Sequence, residues 1–193
     1  MKLIVLLLIS TFFFAFTLSW ADEKSPSPPQ VRLETTLGSI TLELNRVAAP
    51  KTVDNFLSYV ESGFYNGTLF HRVIKGFMIQ GGGMDERMNR KTTQDTILNE
   101  ADNGLKNISG TVAMARTSSP DSATCQFFIN TADNASLDHK NKTPAGFGYC
   151  VFGKVVKGMD VVQKIENVRT ASRAGQNDVP VDPVMITKAV LEK

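Results

Sequence analysis

The sequence is poor in the residue types from which most reactive centres are built: it has two cysteines, two histidines and one tryptophan in 193 residues. Two cysteines cannot make a disulfide scaffold, and neither of the two histidines sits in an H-E-x-x-H or related spacing. No metal site and no cofactor is expected. An excess of one charge is also missing. Lys and Arg number 21 against 19 Asp and Glu, a net charge of +2, so no basic field of the kind that holds nucleic acid is present. There is no G-x-S-x-G elbow for a hydrolase nucleophile. No internal repeat at a period of about 20–50 residues points to a solenoid or propeller. The stretch Gly148–Val155 approaches a phosphate-binding G-x4-G-K-[ST] loop but ends on valine where a hydroxyl is required. Gly81-Gly82-Gly83 reads as a flexible bend beside a strand rather than an anion nest.

What remains is an ordinary globular composition, 42% hydrophobic and 21% charged, in a length that suits one domain. The first residues stand apart. Lys2 precedes a nearly unbroken apolar run, Leu3–Leu18, and Ser19-Trp20-Ala21 places small residues around a cut after Ala21. That order of charge, apolar stretch and small residues predicts a signal peptide for export over residues 1–21. As a helix the run would span roughly 24 Å, short of a bilayer core of about 30 Å, so no stable membrane insertion is expected after cleavage. Residues 22–30, with Pro26, Pro28 and Pro29, read as an exposed linker, and residues 31–193 as the folded domain.

Within the domain, Val31, Leu33, Leu37 and then Ile40, Leu42, Leu44 alternate with polar residues around Gly38, the pattern of a hairpin. Pro50 suits a first helical turn, with Val53, Phe56, Leu57 and Val60 at helical spacing before Gly63. Short strands are expected within Leu69–Gln80 and at Thr111–Ala115, Gln126–Asn130, Tyr149–Val156 and Val184–Leu191. Met159–Ile165 reads as a second helix, and Met84–Asn103 as a long surface loop. About eight strands and two helices in one chain predict a mainly β fold: a closed antiparallel barrel with helices over its ends. Cys125 and Cys150 lie 25 positions apart; one disulfide and two buried thiols both remain open.

Four blocks carry a stronger signal: Phe70-His71-Arg72-Val73-Ile74-Lys75-Gly76-Phe77-Met78-Ile79-Gln80-Gly81-Gly82, Gly110–Ala115, Gln126–Ile129 and Val151–Val155. In this order they resemble the cyclophilin family of peptidyl-prolyl isomerases, over essentially the whole chain from Val31. Asn99–Leu105 and Met114–Thr117 are most similar to the bacterial exported members. The resemblance implies an eight-stranded antiparallel barrel capped by two helices, and cis–trans isomerisation of X-Pro bonds without a cofactor. It also implies a monomer acting on proline-containing segments of client proteins. By the same resemblance Arg72 donates to the proline nitrogen, Phe77, Met78, Phe128 and Leu137 line the proline pocket, and Gln80 steadies the arginine. Gln126 contacts the substrate backbone, and Ala115 and Arg116 flank the peptide, the latter largely through its main chain.

These residue types suit the reaction. Rotation about an amide faces a barrier of roughly 18–20 kcal/mol because resonance is lost, and no bond is made or broken. The site needs a dry slot for the ring and a fixed donor for the nitrogen as it regains its lone pair. An arginine, too basic to give up its proton, is such a donor. Strand alternation puts Arg72 and Ile74 on one face and His71 and Val73 on the other, so His71 is expected to face packing.

This sequence departs from the family at the rim. Ser136 stands where an aromatic is usual, Tyr149 where many members carry His, and Asp138–Gly148 is longer than in compact members. Weak cyclosporin binding with intact isomerase activity is the expectation. A module that holds proline segments without turnover would need the same pocket; the presence of Arg72 favours the enzyme. The expected location is the periplasm, with a eukaryotic secretory pathway as the alternative, in which Asn66, Asn107, Asn134 and Asn141 would be glycosylation acceptors.

Overall fold

The computed structural model describes residues 27–173 and 175–192. The expected signal peptide and residues 22–26 lie outside the described residues. Strand β1 (Gln30–Thr35) pairs with β2 (Gly38–Leu44) as an antiparallel hairpin. Val31 stands opposite Leu42 and Leu33 opposite Ile40, and all four are buried. Two details differ from the sequence pattern. Gln30 already belongs to β1, and Leu37 sits in the turn, 39% exposed, because the strand ends before it.

Helix α1 (Pro50–Glu61) follows, burying Val53, Phe56, Leu57 and Val60 as their spacing predicts. Then come β3 (Thr68–Leu69), β4 (Arg72–Ile74), β5 (Met78–Gly81), β6 (Thr111–Met114), β7 (Phe127–Asn130) and β8 (Val151–Lys157). Helix α2 (Met159–Glu166) buries Val161, Val162 and Ile165; Met159, expected on that face, is only partly covered. A hairpin that the pattern did not announce, β9 (Thr170–Arg173) with β10 (Gln176–Pro180), precedes β11 (Met185–Glu192).

Nine of these strands form one sheet in the order β3-β11-β1-β2-β8-β6-β7-β5-β4. The sheet curls until its ends meet. Leu69 donates its N–H to the Met84 carbonyl at 2.9 Å and accepts from Gly82 N–H at 3.2 Å, while Phe70 N–H reaches the Val184 carbonyl at 2.9 Å. β3 and β4 are two residues apart and act as one interrupted strand, so the expected eight-stranded barrel is what the sheet makes. Closure removes the free edges that would otherwise invite pairing with another chain.

Alternation divides the barrel into an inside and an outside. Phe127 and Ile129 point inward, where Phe56, Tyr65 and Phe152 meet Phe127 or one another at ring separations of 5.1 to 5.6 Å. Burying each such ring is worth roughly 1.5–3 kcal/mol. Phe128, one residue along, is thereby sent to the outer face.

Two expectations need correction. Residues 84–103 are irregular but not simply a surface loop: Met84, Met88 and Ala101 are buried, the two methionines packing with Leu69 and Val179. Nor are Gly81-Gly82-Gly83 a flexible bend. All three are buried, and a Cβ on Gly83 would come within 2.4 Å of the Gln126 side chain. These glycines are there for close packing. Cys125 and Cys150 are free and buried in the main core, and burial pushes the Cys150 thiol up to about 11.

Candidate active site

The register of four neighbouring strands sets out the site on the outer face of the barrel. Arg72 on β4 stands opposite Gln80 on β5, Gln80 opposite Phe128 on β7, Phe128 opposite Ala113 on β6, and Ala113 opposite Val151 on β8. Direct cross-strand pairs lie about 4.5–5.5 Å apart at Cβ, so one row runs from a guanidinium, across an amide, to an aromatic ring. The next row carries Ile74, Met78 and Asn130. Odd and even residues cannot exchange faces without moving the whole strand, so the row is fixed by the same register that fills the core.

Around this row Met78, Ala113, Phe128 and Val151 form a cluster separate from the main core, with Phe77, Leu105, Ala115, Leu137 and Tyr149 against it. Met78 and Phe128 are buried, while Phe77, Leu137 and Tyr149 are half-buried and form the lip of the slot. Tyr149, just ahead of β8 rather than within it, meets Phe128 edge-on at 5.7 Å and 78°. The Arg116 guanidinium lies over the Tyr149 ring at 4.7 Å. Arg116 Nε donates to the Gly148 carbonyl at 2.9 Å, and its terminal nitrogens reach the carbonyls of Thr117 and Pro144. This side chain thus staples the 138–148 segment to the rim, a task beyond the main-chain contact expected of it.

The polar side of the slot is an amide pair. Gln80 Nε2 donates to Gln126 Oε1 at 2.9 Å, and the Gln126 carbonyl accepts from Ala115 N–H at 2.9 Å. Gln80 was expected to steady Arg72; although it is the residue facing Arg72, its hydrogen bond goes to Gln126. Arg72 is paired instead with Asp178 on β10, whose Oδ2 lies 4.0 Å from Nε. His71 is buried beside the backbone of Leu69 and the side chain of Gln126, and its Nδ1 finds no hydrogen-bond partner among the described residues; alternation does not carry through this stretch, because Phe70 as well as Val73 packs in the main core. Burial, reinforced by the charges of Arg72 and Arg90, lowers its pKa from 6.5 to about 4, so the imidazole is neutral at pH 7.

A second layer went unread in the sequence. Asn134 Nδ2 donates to the Phe77 carbonyl at 2.8 Å and to Asn130 Oδ1 at 2.7 Å. Asn130 Nδ2 donates to Asn107 Oδ1 at 3.2 Å, and Asn107 in turn donates from N and Nδ2 to Asp138 Oδ1 and from Nδ2 to the Tyr149 carbonyl. The chain of amides ties together the backbones behind Phe77, Leu137 and Tyr149. Its one sequence signal was misleading: Asn107 and Asn134 stand in glycosylation patterns, yet both are buried. Gly148 completes the support. Its φ is +80°, and a Cβ there would lie 2.5 Å from His139 N. A cleft of about 940 Å³ between Pro28–Pro29, Val47 and Ile108 contains none of the ten residues singled out from the sequence.

The chain resembles known proteins over nearly all of its described residues. A profile for the cyclophilin type peptidyl-prolyl cis-trans isomerase family matches residues 30–191. The chain belongs to that family. Among curated cyclophilins, peptidyl-prolyl cis-trans isomerase cyp18 of Streptomyces antibioticus is 60% identical over 159 residues, covering 82% of this chain and 96% of that protein. Peptidyl-prolyl cis-trans isomerase B of Escherichia coli is 51% identical over 163 residues, covering 84% of this chain and 99% of its own. A crystal structure of a Cryptosporidium parvum cyclophilin, solved in the presence of the dipeptide Ala-Pro, superimposes with a TM-score of 0.69 at 29% identity, over 85% of this chain and 99% of that one. The chain is a peptidyl-prolyl cis-trans isomerase, and the capped barrel that its strand pattern and its resemblance to the family implied is the fold it has.

Proposed function

We propose that the row on the outer face is where this cyclophilin turns the X-Pro bond, with Arg72, Phe77, Gln80 and Phe128 as the catalytic set. Phe77, Met78, Phe128 and Leu137 take the pyrrolidine ring, and Tyr149 with Arg116 closes the rim. In the ground state the proline nitrogen shares its lone pair with the carbonyl and accepts nothing. As the bond twists the pair localises, and Arg72 then has something to donate to. The interaction exists in the twisted state and not in the planar one, which is the condition for catalysis. A hydrogen bond to a charged group is worth roughly 1.5–3 kcal/mol net, one to two decades of rate. Gln126 and the Ala115–Arg116 backbone hold the flanking chain, and the apolar slot removes water that would stabilise the planar amide's dipole.

The observation that carries this reading is the cross-strand sequence Arg72, Gln80, Phe128 on one face. The test is a titration with an Ala-Pro dipeptide followed by amide and methyl resonances. Shifts should centre on Phe77, Met78, Phe128 and Leu137, and Phe128→Ala should abolish them. Shifts centred instead on Val47 and Ile108, beside the cleft at Pro28–Pro29, would overturn the assignment.

The wider role we infer is assistance to folding of exported proteins in the periplasm, with the chain acting as a monomer on proline-containing client segments. Support comes from the charge, apolar run and small residues at 1–21 and from the bacterial relatives. Ser136, exposed at the rim, offers no aromatic face to a large hydrophobic ligand, so cyclosporin binds weakly on this reading.

A further inference from the structure

Arg72 has a neighbour outside all four sequence blocks. In the β9–β10 hairpin, Gln176 pairs with Arg173 and Val179 with Ala171, so Asn177 and Asp178 together oppose Ser172 alone. This is a β-bulge, a device that re-aims a side chain. Asp178 sits in it with φ of +62°, a left-handed conformation that few residues other than Gly, Asn and Asp adopt readily. The bulge is held on both sides: Ser172 Oγ donates to Asn177 Oδ1 at 2.8 Å, and Val179 and Pro180 are buried, with β10 packed along β4. The carboxylate so aimed lies 4.0 Å from Arg72 Nε. Gln80, the other candidate to steady the guanidinium, is engaged with Gln126.

Taking Arg72 as the donor proposed above, we propose that Asp178 is its positioning residue. The carboxylate faces the Nε edge and leaves the two terminal nitrogens for the substrate. It limits the rotation of a side chain that is 42% exposed and would otherwise sample many rotamers. It also sets a negative charge beside the slot without touching the reacting atoms.

The test compares wild type, Asp178→Asn, Asp178→Gly and Arg72→Ala in a protease-coupled isomerisation assay of the full domain. Asn keeps the left-handed backbone and Gly relaxes it, so both variants should melt at or above the wild-type temperature. Both should lose about two- to fivefold in kcat with little change in KM, the scale of an exposed ion pair. Raising salt to about 1 M should bring wild type down towards Asp178→Asn, because screening then acts within about 3 Å. In the Arg72→Ala background Asp178→Asn should cost nothing further. Wild-type kcat in both Asp178 variants, with Arg72→Ala impaired, would overturn the positioning role alone, as would an undiminished Asp178 effect in the absence of Arg72. A wild-type rate for Arg72→Ala would instead overturn the reading on which it rests.

Discussion

A buried imidazole with no partner for Nδ1, close to the charges of Arg72 and Arg90, is a liability at low pH. Unfolded, His71 takes a proton near pH 6.5; folded, burial delays this to about 4. Between those values the unfolded chain binds a proton that the folded chain refuses. Stability is therefore fully present above about pH 6.5 and falls as pH drops towards 4, by roughly 3 kcal/mol from this group alone. Urea unfolding at pH 7 and pH 4.5 should show the loss, and His71→Leu should flatten the slope; an equal slope in the variant would contradict it. At this scale the sequence was most informative where a side chain's direction follows from parity. Arg72, Gln80 and Phe128 on one face were legible from alternation and the motif blocks, whereas the side His71 takes was not, because Phe70 breaks the alternation by packing in the main core. What Gln80 bonds to was not, because two amides within reach of a guanidinium can pair with it or with each other. The room for Gln126 left by Gly83 was equally hidden, since a glycine's reason lies in what packs against it.

Elements were legible where an apolar period ran unbroken, as in β1, β2 and α1. They were not where a distant residue completes them. α1 opens on Ala49, a poor cap, and its first N–H groups are met by Glu100: Lys51 N–H donates to Oε1 at 3.1 Å and Thr52 N–H to Oε2 at 2.9 Å. A carboxylate at a helix N-terminus satisfies orphan donors and complements the dipole, yet nothing local announces a cap 48 residues away. Glu100→Ala should cost about 1–2 kcal/mol in urea unfolding, with isomerase activity retained because α1 lies apart from the proposed catalytic row. A loss under 0.3 kcal/mol, about the noise of such a measurement, would show the cap to be idle. The β9–β10 hairpin escaped for the opposite reason. Its strands are mostly polar, with Val179 and Pro180 as the buried pair, so no alternation marks it out.

For the molecule as a whole, closing the sheet serves two ends. The inner face packs aromatic rings from α1, β7 and β8 into a core, and the outer face of β4, β5, β7 and β6 is, on the proposed reading, the table for a peptide. The strands of the barrel and the two helices were readable from the pattern. The closure through Leu69, Gly82 and Met84 was not, because it uses short backbone contacts rather than a strand long enough to leave a period. Rigidity matters to the chemistry: a donor helps only if it already stands where the twisted nitrogen will be, and reorganising it would cost what it gains. The most direct test is kcat/KM of Arg72→Ala in the protease-coupled assay, with Ala-Pro affinity measured alongside. The account predicts a fall of about ten- to a hundredfold with affinity kept within a few fold. Isomerisation at the wild-type rate without the guanidinium would contradict it.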